Sequence, residues 1–120
     1  MAKAGVTLEA VWAMGARLPG VERSTAWGSP ALKVKARNGK LELMACVPTH
    51  KSAEPGSLLF RMDRRERAAL IEEAPELYYA PEHYVGYDGV LVRVARLTPE
   101  LTHDLLAMAH RFVTRTRGKR

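Results

Sequence analysis

The dipeptide Asn38-Gly39 separates two stretches of β character, residues 31–37 and 40–47. Asn-Gly is the preferred pair at the centre of a two-residue type I′ turn, so the sequence predicts a β-hairpin. A two-residue turn fixes the register and would place Arg37 opposite Lys40 and Lys35 opposite Glu42. One face would then be apolar (Leu32, Val34, Ala36, Leu41, Leu43 and Ala45) and the other polar and basic (Lys33, Lys35, Arg37, Lys40, Glu42 and Met44).

Three helices are predicted around this hairpin. Thr7 is the N-cap of the first, which ends at Pro19-Gly20. Asp63 and Glu66 form a capping box for the second, over residues 64–74, with Arg67 expected on its exposed side. Thr98-Pro99 begins the third. The buried stripe of this third helix would be Leu101, Leu105, Met108 and Phe112.

Further strands are predicted from β-forming runs at residues 22–27, 57–62, 77–80 and 90–94. The fold class is therefore α+β, an antiparallel sheet with helices packed on it, in the order α-β-β-β-β-α-β-β-α. Residues 1–114 form one domain, and residues 115–120 are a basic C-terminal tail.

The composition indicates the cellular compartment of the protein. The chain has 120 residues and 47% hydrophobic residues, enough for one core. Its single cysteine, Cys46, excludes an internal disulfide and fits a reducing compartment. No apolar run is long enough to cross a membrane, and the N-terminus lacks the apolar core of a signal peptide. We therefore expect a cytoplasmic protein with no membrane partner.

The net charge of +6 is unevenly distributed. Residues 1–50 contain seven basic and three acidic side chains, residues 51–110 seven and ten, and residues 111–120 five and none. Such a surplus favours weak, salt-dependent contacts with DNA phosphates, although the tail is equally typical of a solvated chain end. The candidate DNA contacts are Trp27, Lys33, Lys35, Arg37, Lys40, Arg115, Arg117, Lys119 and Arg120.

All four tyrosines lie in residues 78–89, which we call the tyrosine-rich loop. Pro81, Gly86 and Gly89 interrupt its β character, so its aromatic rings fall on or beside turns. Tyr78 and Tyr79 are predicted to pack in the core. His83, Tyr84 and Tyr87 are candidates for a groove that receives a protein segment or a small ligand.

No reaction is indicated by the sequence. It contains no Ser-His-Asp arrangement and no phosphate-binding loop. His103 and His110 are two helical turns apart, too far to share a metal ion, and His50 has no partner at ligand spacing. We therefore expect no catalytic residues, no metal and no cofactor.

A series of short motifs resembles the MmcQ/YjbR family of small bacterial proteins over essentially the whole chain. The resemblance implies a fold like the double wing of a phage transcription-factor domain and, by analogy of fold, DNA binding. It implies no functional residue, and residues 51–55 depart from the usual family pattern. The motifs are Leu18-Pro-Gly-Val-Glu22, Trp27-Gly-Ser-Pro30, Leu32-Lys-Val34, Pro75-Glu76, His83-Tyr84, Gly86-Tyr87 and Val90-Leu-Val92.

Overall fold

The computed structural model of the protein describes residues 6–116. It is an α+β fold, and the predicted order of strands and long helices is confirmed, with a one-turn helix added inside the tyrosine-rich loop. The elements are α1 (Leu8–Ala16), β1 (Val21–Ala26), β2 (Ser29–Lys35), β3 (Leu41–Cys46), β4 (Ser57–Arg61), α2 (Arg64–Glu73), β5 (Tyr78–Tyr79), α3 (Glu82–Val85), β6 (Gly89–Arg93), a 3-10 turn (Val94–Arg96) and α4 (Pro99–Thr116).

The six strands form one antiparallel sheet in the order β1-β2-β3-β4-β6-β5. Helices α1 and α4 pack on one face of it, which we call the inner face. Alternate side chains of β2, β4 and β6, such as Val34, Phe60 and Val92, point to that face and are fully buried. The opposite, outer face has a smaller apolar cluster around Ala31, Cys46, Leu59 and Leu91.

The helix starts are those the sequence predicts. The side-chain oxygens of Thr7, Asp63 and Thr98 accept hydrogen bonds from backbone N–H groups three residues later, at 3.1, 2.8 and 3.1 Å. A glycine lets α1 approach the sheet closely, because a Cβ at Gly15 would lie 2.4 Å from Cδ1 of Leu32. The caps therefore determine where each helix begins. The absence of a side chain at Gly15 allows α1 to pack close to the sheet.

The hairpin exists, but its predicted register is wrong by one residue. Lys35 pairs with Leu41 rather than with Glu42. The turn has three residues, since the N–H of Ala36 donates to the carbonyl of Lys40 and the N–H of Gly39 donates to that of Ala36. Gly39 has φ +86°, whereas Asn38 does not have positive φ. This is the three-residue hairpin that ends in a left-handed glycine, which Asn-Gly also suits.

The one-residue change in the hairpin register alters which side chains of β3 are buried. Lys33 pairs with Leu43 and Leu32 with Ala45, so Met44 is an extra residue in β3. Met44 is fully buried on the inner face beside Ala45, where the sequence predicts a polar-face position. Leu41 and Leu43 lie instead on the outer face with Lys33, and Leu41 is 45% exposed.

Helix α4 continues to Thr116, so Arg115 is a helical residue rather than part of the predicted tail. Arg117, Lys119 and Arg120, the other tail candidates, lie outside the described residues. None of the helices within residues 6–116 is long and apolar enough to cross a membrane.

We predict that Gly39→Val lowers the free energy of unfolding by at least about 1 kcal/mol, because a β-branched residue is strained at positive φ. A Cβ at Gly39 would contact nothing within 4 Å, so the cost is one of backbone conformation alone. Urea unfolding measures the change. Arg37→Val in the same turn is the control and should leave the midpoint almost unchanged. Equal midpoints for Gly39→Val and the parent protein would contradict the turn geometry.

Candidate ligand-binding groove on the outer face

Arg67 fixes the backbone of the tyrosine-rich loop. Its side chain extends from α2 and is only 8% exposed. Nη1 donates to the carbonyls of Tyr84, Tyr87 and Gly89 at 3.3, 2.9 and 3.1 Å, and Nη2 donates to that of Val85 at 2.9 Å. Desolvation lowers the pKa of Arg67, and the nearby charge of Arg64 lowers it further.

Two further arginines complete this network. Arg61 Nε donates to the carbonyl of Asp88 at 2.9 Å, and Arg64 Nη2 donates to that of Gly86 at 2.7 Å. The backbone carbonyls of all six residues 84–89 therefore accept hydrogen bonds from arginine. Arg64 also forms an ion pair with the Asp88 carboxylate at 3.0 Å.

The expectation that Arg67 is exposed was wrong. Arg64, Arg67 and Ile71 follow one another at three- and four-residue spacing, so they lie on the same side of α2. That side faces the tyrosine-rich loop, and the guanidinium of Arg67 reaches four of the loop's carbonyls. An arginine on a helix is usually solvated, and only the packed loop makes this one a buried donor.

The segment formed by residues 48–56, loop 48–56, closes over the outer face from the other side. The N–H of His50 donates to the Tyr84 hydroxyl at 3.4 Å, and the N–H of Glu54 donates to the Tyr79 hydroxyl at 2.8 Å. The Glu54 carboxylate accepts two hydrogen bonds from Arg93, at 2.8 and 2.7 Å. The sequence predicts an exposed loop here, and the loop is exposed or partly exposed throughout, while the N–H groups of His50 and Glu54 anchor it.

His50 and His83 bring loop 48–56 and α3 together. Their rings stack with centroids 3.5 Å apart and planes 6° from parallel. The Tyr84 ring is edge-on to both, at 6.3 Å from His50 and 4.9 Å from His83. The Nδ1 atom of His50 accepts a hydrogen bond from the N–H of Ser52 at 3.1 Å. Desolvation, followed by the charges of His83 and Lys51, lowers the pKa of His50 and favours its neutral form.

Trp27 lies at the tip of a second tight hairpin. Ala26 pairs with Ser29, so Trp27 and Gly28 form a two-residue turn, and their φ angles are +52° and +79°. Positive φ at both positions is the type I′ geometry that the sequence assigned to Asn38-Gly39. The indole is 68% exposed. A large residue in this conformation is strained by about 1 kcal/mol or more, and such strain clusters at functional sites.

These segments enclose a cavity of about 400 Å³. Its floor includes Cys46, whose pKa burial raises to about 11, so the thiol is neutral. Aspartate, glutamate, lysine and arginine are absent from the lining within residues 6–116. We call this cavity the aromatic groove, and it is lined by Trp27, Cys46, Pro48, Thr49, His50, Leu59, His83, Tyr84 and Tyr87.

A wider and more polar hollow of about 610 Å³ adjoins the aromatic groove. Trp27 and Tyr87 line both, so they stand between them. Of the four predicted basic contacts on the hairpin, Lys33 lines this hollow. The other three, Lys35, Arg37 and Lys40, are exposed.

The structure does not keep the predicted DNA contacts and the predicted ligand contacts as two separate groups. Trp27, proposed for DNA, adjoins His83, Tyr84 and Tyr87, proposed for a ligand. Arg115 belongs to α4 on the inner side of the sheet and lines a small cleft with Asp63 and Glu66. It therefore does not adjoin the basic side chains on the outer face of the hairpin.

His50, Cys46 and Pro48 were missed as groove residues. His50 and His83 are 33 positions apart in the sequence, and no local pattern links them. Within residues 6–116, three His, Cys, Asp or Glu side chains nowhere converge in a way that could hold a metal ion. The groove can therefore offer ring stacking, hydroxyl groups and apolar contact.

Comparison with known proteins supports the fold. The structure is similar to the crystal structure of Deinococcus radiodurans protein DR2400, a DUF419 protein, with a TM-score of 0.73 and 20% sequence identity. The match covers 95% of this chain and 83% of that one. No protein-family model matches the chain, and no curated protein matches it. At this identity the likeness establishes the shared architecture.

We predict that Arg67→Met destabilises the protein by about 3 kcal/mol or more, because it removes a buried donor that serves four carbonyls of the tyrosine-rich loop. Arg65→Met is the matched control, since Arg65 is exposed on the same helix and its loss should change little. Chemical denaturation compares the two variants. Similar unfolding midpoints for both would show that the arginine network does not hold the loop.

Proposed function

We propose that this chain is a non-enzymatic, cytoplasmic protein of the bacterial MmcQ/YjbR type that binds a small ligand in the aromatic groove. The observation that carries the proposal is the groove itself, a cavity of about 400 Å³ built from four separated segments of the chain. This volume lies within the roughly 300–1,000 Å³ of small-molecule sites. An apolar lining with a few polar groups is also typical of such sites.

The groove is held in place before any ligand arrives. Arginine donors fix the backbone of the tyrosine-rich loop, and the Tyr79 and Tyr84 hydroxyls hold loop 48–56. A wall that is already ordered loses little conformational entropy when a ligand binds. Such preorganisation supports binding rather than a merely structural role for these contacts.

The side chains of the groove are poorly suited to catalysis. The Cys46 thiol is neutral and buried, so it is a weak nucleophile. The Nδ1 atom of His50 is engaged by Ser52. A carboxylate that could orient either histidine is absent from the described lining. These features favour recognition over chemistry.

The family assignment is supported by two independent likenesses. The motifs from Leu18 to Val92 resemble the MmcQ/YjbR family, and the fold resembles that of a DUF419 protein. Trp27-Gly-Ser-Pro30 and His83-Tyr84, two of these motifs, both contribute to the groove.

A fragment screen by protein NMR tests the proposed function. We expect small uncharged fragments to shift the amide signals of Cys46, His50 and Tyr84. Thr49→Trp should abolish these shifts, because Thr49 is exposed at the lining and a large ring there would fill the groove. Lys51→Trp, an exposed position outside the lining, is the matched control and should keep them. A diverse library that leaves all groove signals unmoved would refute the proposal.

A second candidate function is weak, electrostatic DNA binding by the hairpin. The four side chains Lys33, Lys35, Arg37 and Lys40 lie close together in sequence on β2 and its turn, and residues 6–116 contain no acidic side chain within 4 Å of their charged groups. Cations without such partners are available to phosphates. Arg115 does not contribute to this surface, so the hairpin would act alone among the described basic candidates.

A salt titration of duplex DNA binding tests this second candidate. Four neutralised phosphates would give a slope of about −3.6 for log affinity against log salt concentration. The double variant Lys35→Gln/Arg37→Gln should flatten the slope by about 1.8. Arg65→Gln removes an exposed charge on α2 and should leave the slope unchanged. Absent binding at low salt, or a slope that ignores the double variant, would exclude the hairpin as a DNA contact.

A further inference from the structure

The aromatic groove combines three features that together define a ligand class. Its walls are rings, its described lining has no fixed charge, and one wall is an exposed indole at a strained turn. The first two features describe the whole lining, and the third belongs to the turn formed by Trp27 and Gly28. The inference from them rests on the proposed function and specifies what that groove would bind.

The rings of the groove favour a flat partner. His50 and His83 already form a parallel stack, and His83 is exposed, so the stack is accessible to a further ring. Trp27 offers the largest aromatic surface of the lining and is mostly uncovered. Aromatic side chains gain about 0.5–1.5 kcal/mol beyond area burial when they pair with another ring in stacked or edge-on geometry. A puckered aliphatic ligand of the same size gains only the free energy of burying its apolar surface area.

The charge of the lining favours a neutral partner. The described lining residues include no lysine, arginine, aspartate or glutamate to pair with an ion. The Cys46 thiol has its pKa raised to about 11, and the pKa of His50 is lowered, so both are neutral near pH 7.5. Placing an ion on such a surface would cost its hydration, and none of the described lining residues is a charged partner for it.

Trp27 is retained where another residue would fit the backbone better. Asparagine and glycine are the usual residues at the first central position of a type I′ turn, and the indole lies outside the buried core. The protein therefore keeps a strained, exposed ring at the mouth of a cavity, and the strain is not offset by core packing. A ligand that stacks on the indole provides the missing contact.

We propose that the aromatic groove binds an uncharged, flat aromatic ring system, which stacks against Trp27 and the His50–His83 pair. The groove is large enough for two fused rings, and the Tyr84 hydroxyl, which already accepts a hydrogen bond from the N–H of His50, retains a proton that it could donate to one polar substituent. The specificity is for ring flatness and neutrality.

Matched probe compounds test this ligand class. The dissociation constants of 2-naphthol, decahydro-2-naphthol and naphthalene-2-carboxylate are measured at pH 7.5 by NMR titration of the groove amides. These compounds share one carbon skeleton and differ in flatness or charge. We expect 2-naphthol to bind about tenfold more tightly than each of the other two. Equal or tighter binding of the decahydro compound or of the carboxylate would overturn the inference.

Trp27→Asn tests the role of the indole without endangering the fold, because asparagine tolerates positive φ. We expect this variant to unfold at the same or a higher urea concentration and to bind 2-naphthol about tenfold more weakly. Val85→Ala is the control, since Val85 is 50% exposed in α3 and does not line the groove. Unchanged 2-naphthol affinity in Trp27→Asn would overturn the stacking contact.

The two proposals can fail separately. If the fragment library yields groove ligands but 2-naphthol shows no preference, the ligand class is wrong and the binding function stands. If no member of the library and none of the three probes moves a groove signal, both proposals fall.

Discussion

The buried guanidinium of Arg67 is the interaction on which the outer face of this protein depends. Residues 84–89 run between α3 and β6, and their carbonyls would be costly to bury without donors. Arg67, with Arg61 and Arg64, supplies a donor to each of the six. Burial of the charge is tolerated because its hydrogen bonds are satisfied by carbonyl dipoles. The position of Tyr84 and Tyr87, and hence one wall of the groove, follows from this network.

The two faces of the sheet are covered in different ways, and this difference creates the groove. Helices α1 and α4 and a continuous apolar core cover the inner face. Within residues 6–116, a one-turn helix and loop 48–56 cover the outer face and meet through the His50–His83 stack and the tyrosine hydroxyls. The aromatic rings are bulky and their polar groups form hydrogen bonds, so the two segments are linked without close packing. A cavity therefore remains between them. A site on such a face is rigid although it is built from loops.

Trp27 lies on the same face, but its position is determined by the backbone conformation of a tight turn. Its turn has both central residues at positive φ, which suits asparagine and glycine far better than tryptophan. The strain is local, since the indole is mostly exposed and neighbouring β-strand pairs hold the turn in register. A strained residue of this kind contributes little to stability, and it lies at the rim between the groove and the wider hollow, where the proposed ligand would stack.

The sequence by itself determined the three longer helices and the strands, because helix caps, period-3.6 stripes and alternating strands depend on residues within a few positions of one another. It also predicted a hairpin at Asn38-Gly39 but missed its register, since a left-handed glycine serves both two- and three-residue turns and the extra residue Met44 has no local signal. Only the tertiary structure decided that Arg67 is buried and that His50 meets His83. Those contacts join segments at least 17 residues apart. The packing of the two sheet faces decides which of the many polar side chains become partners.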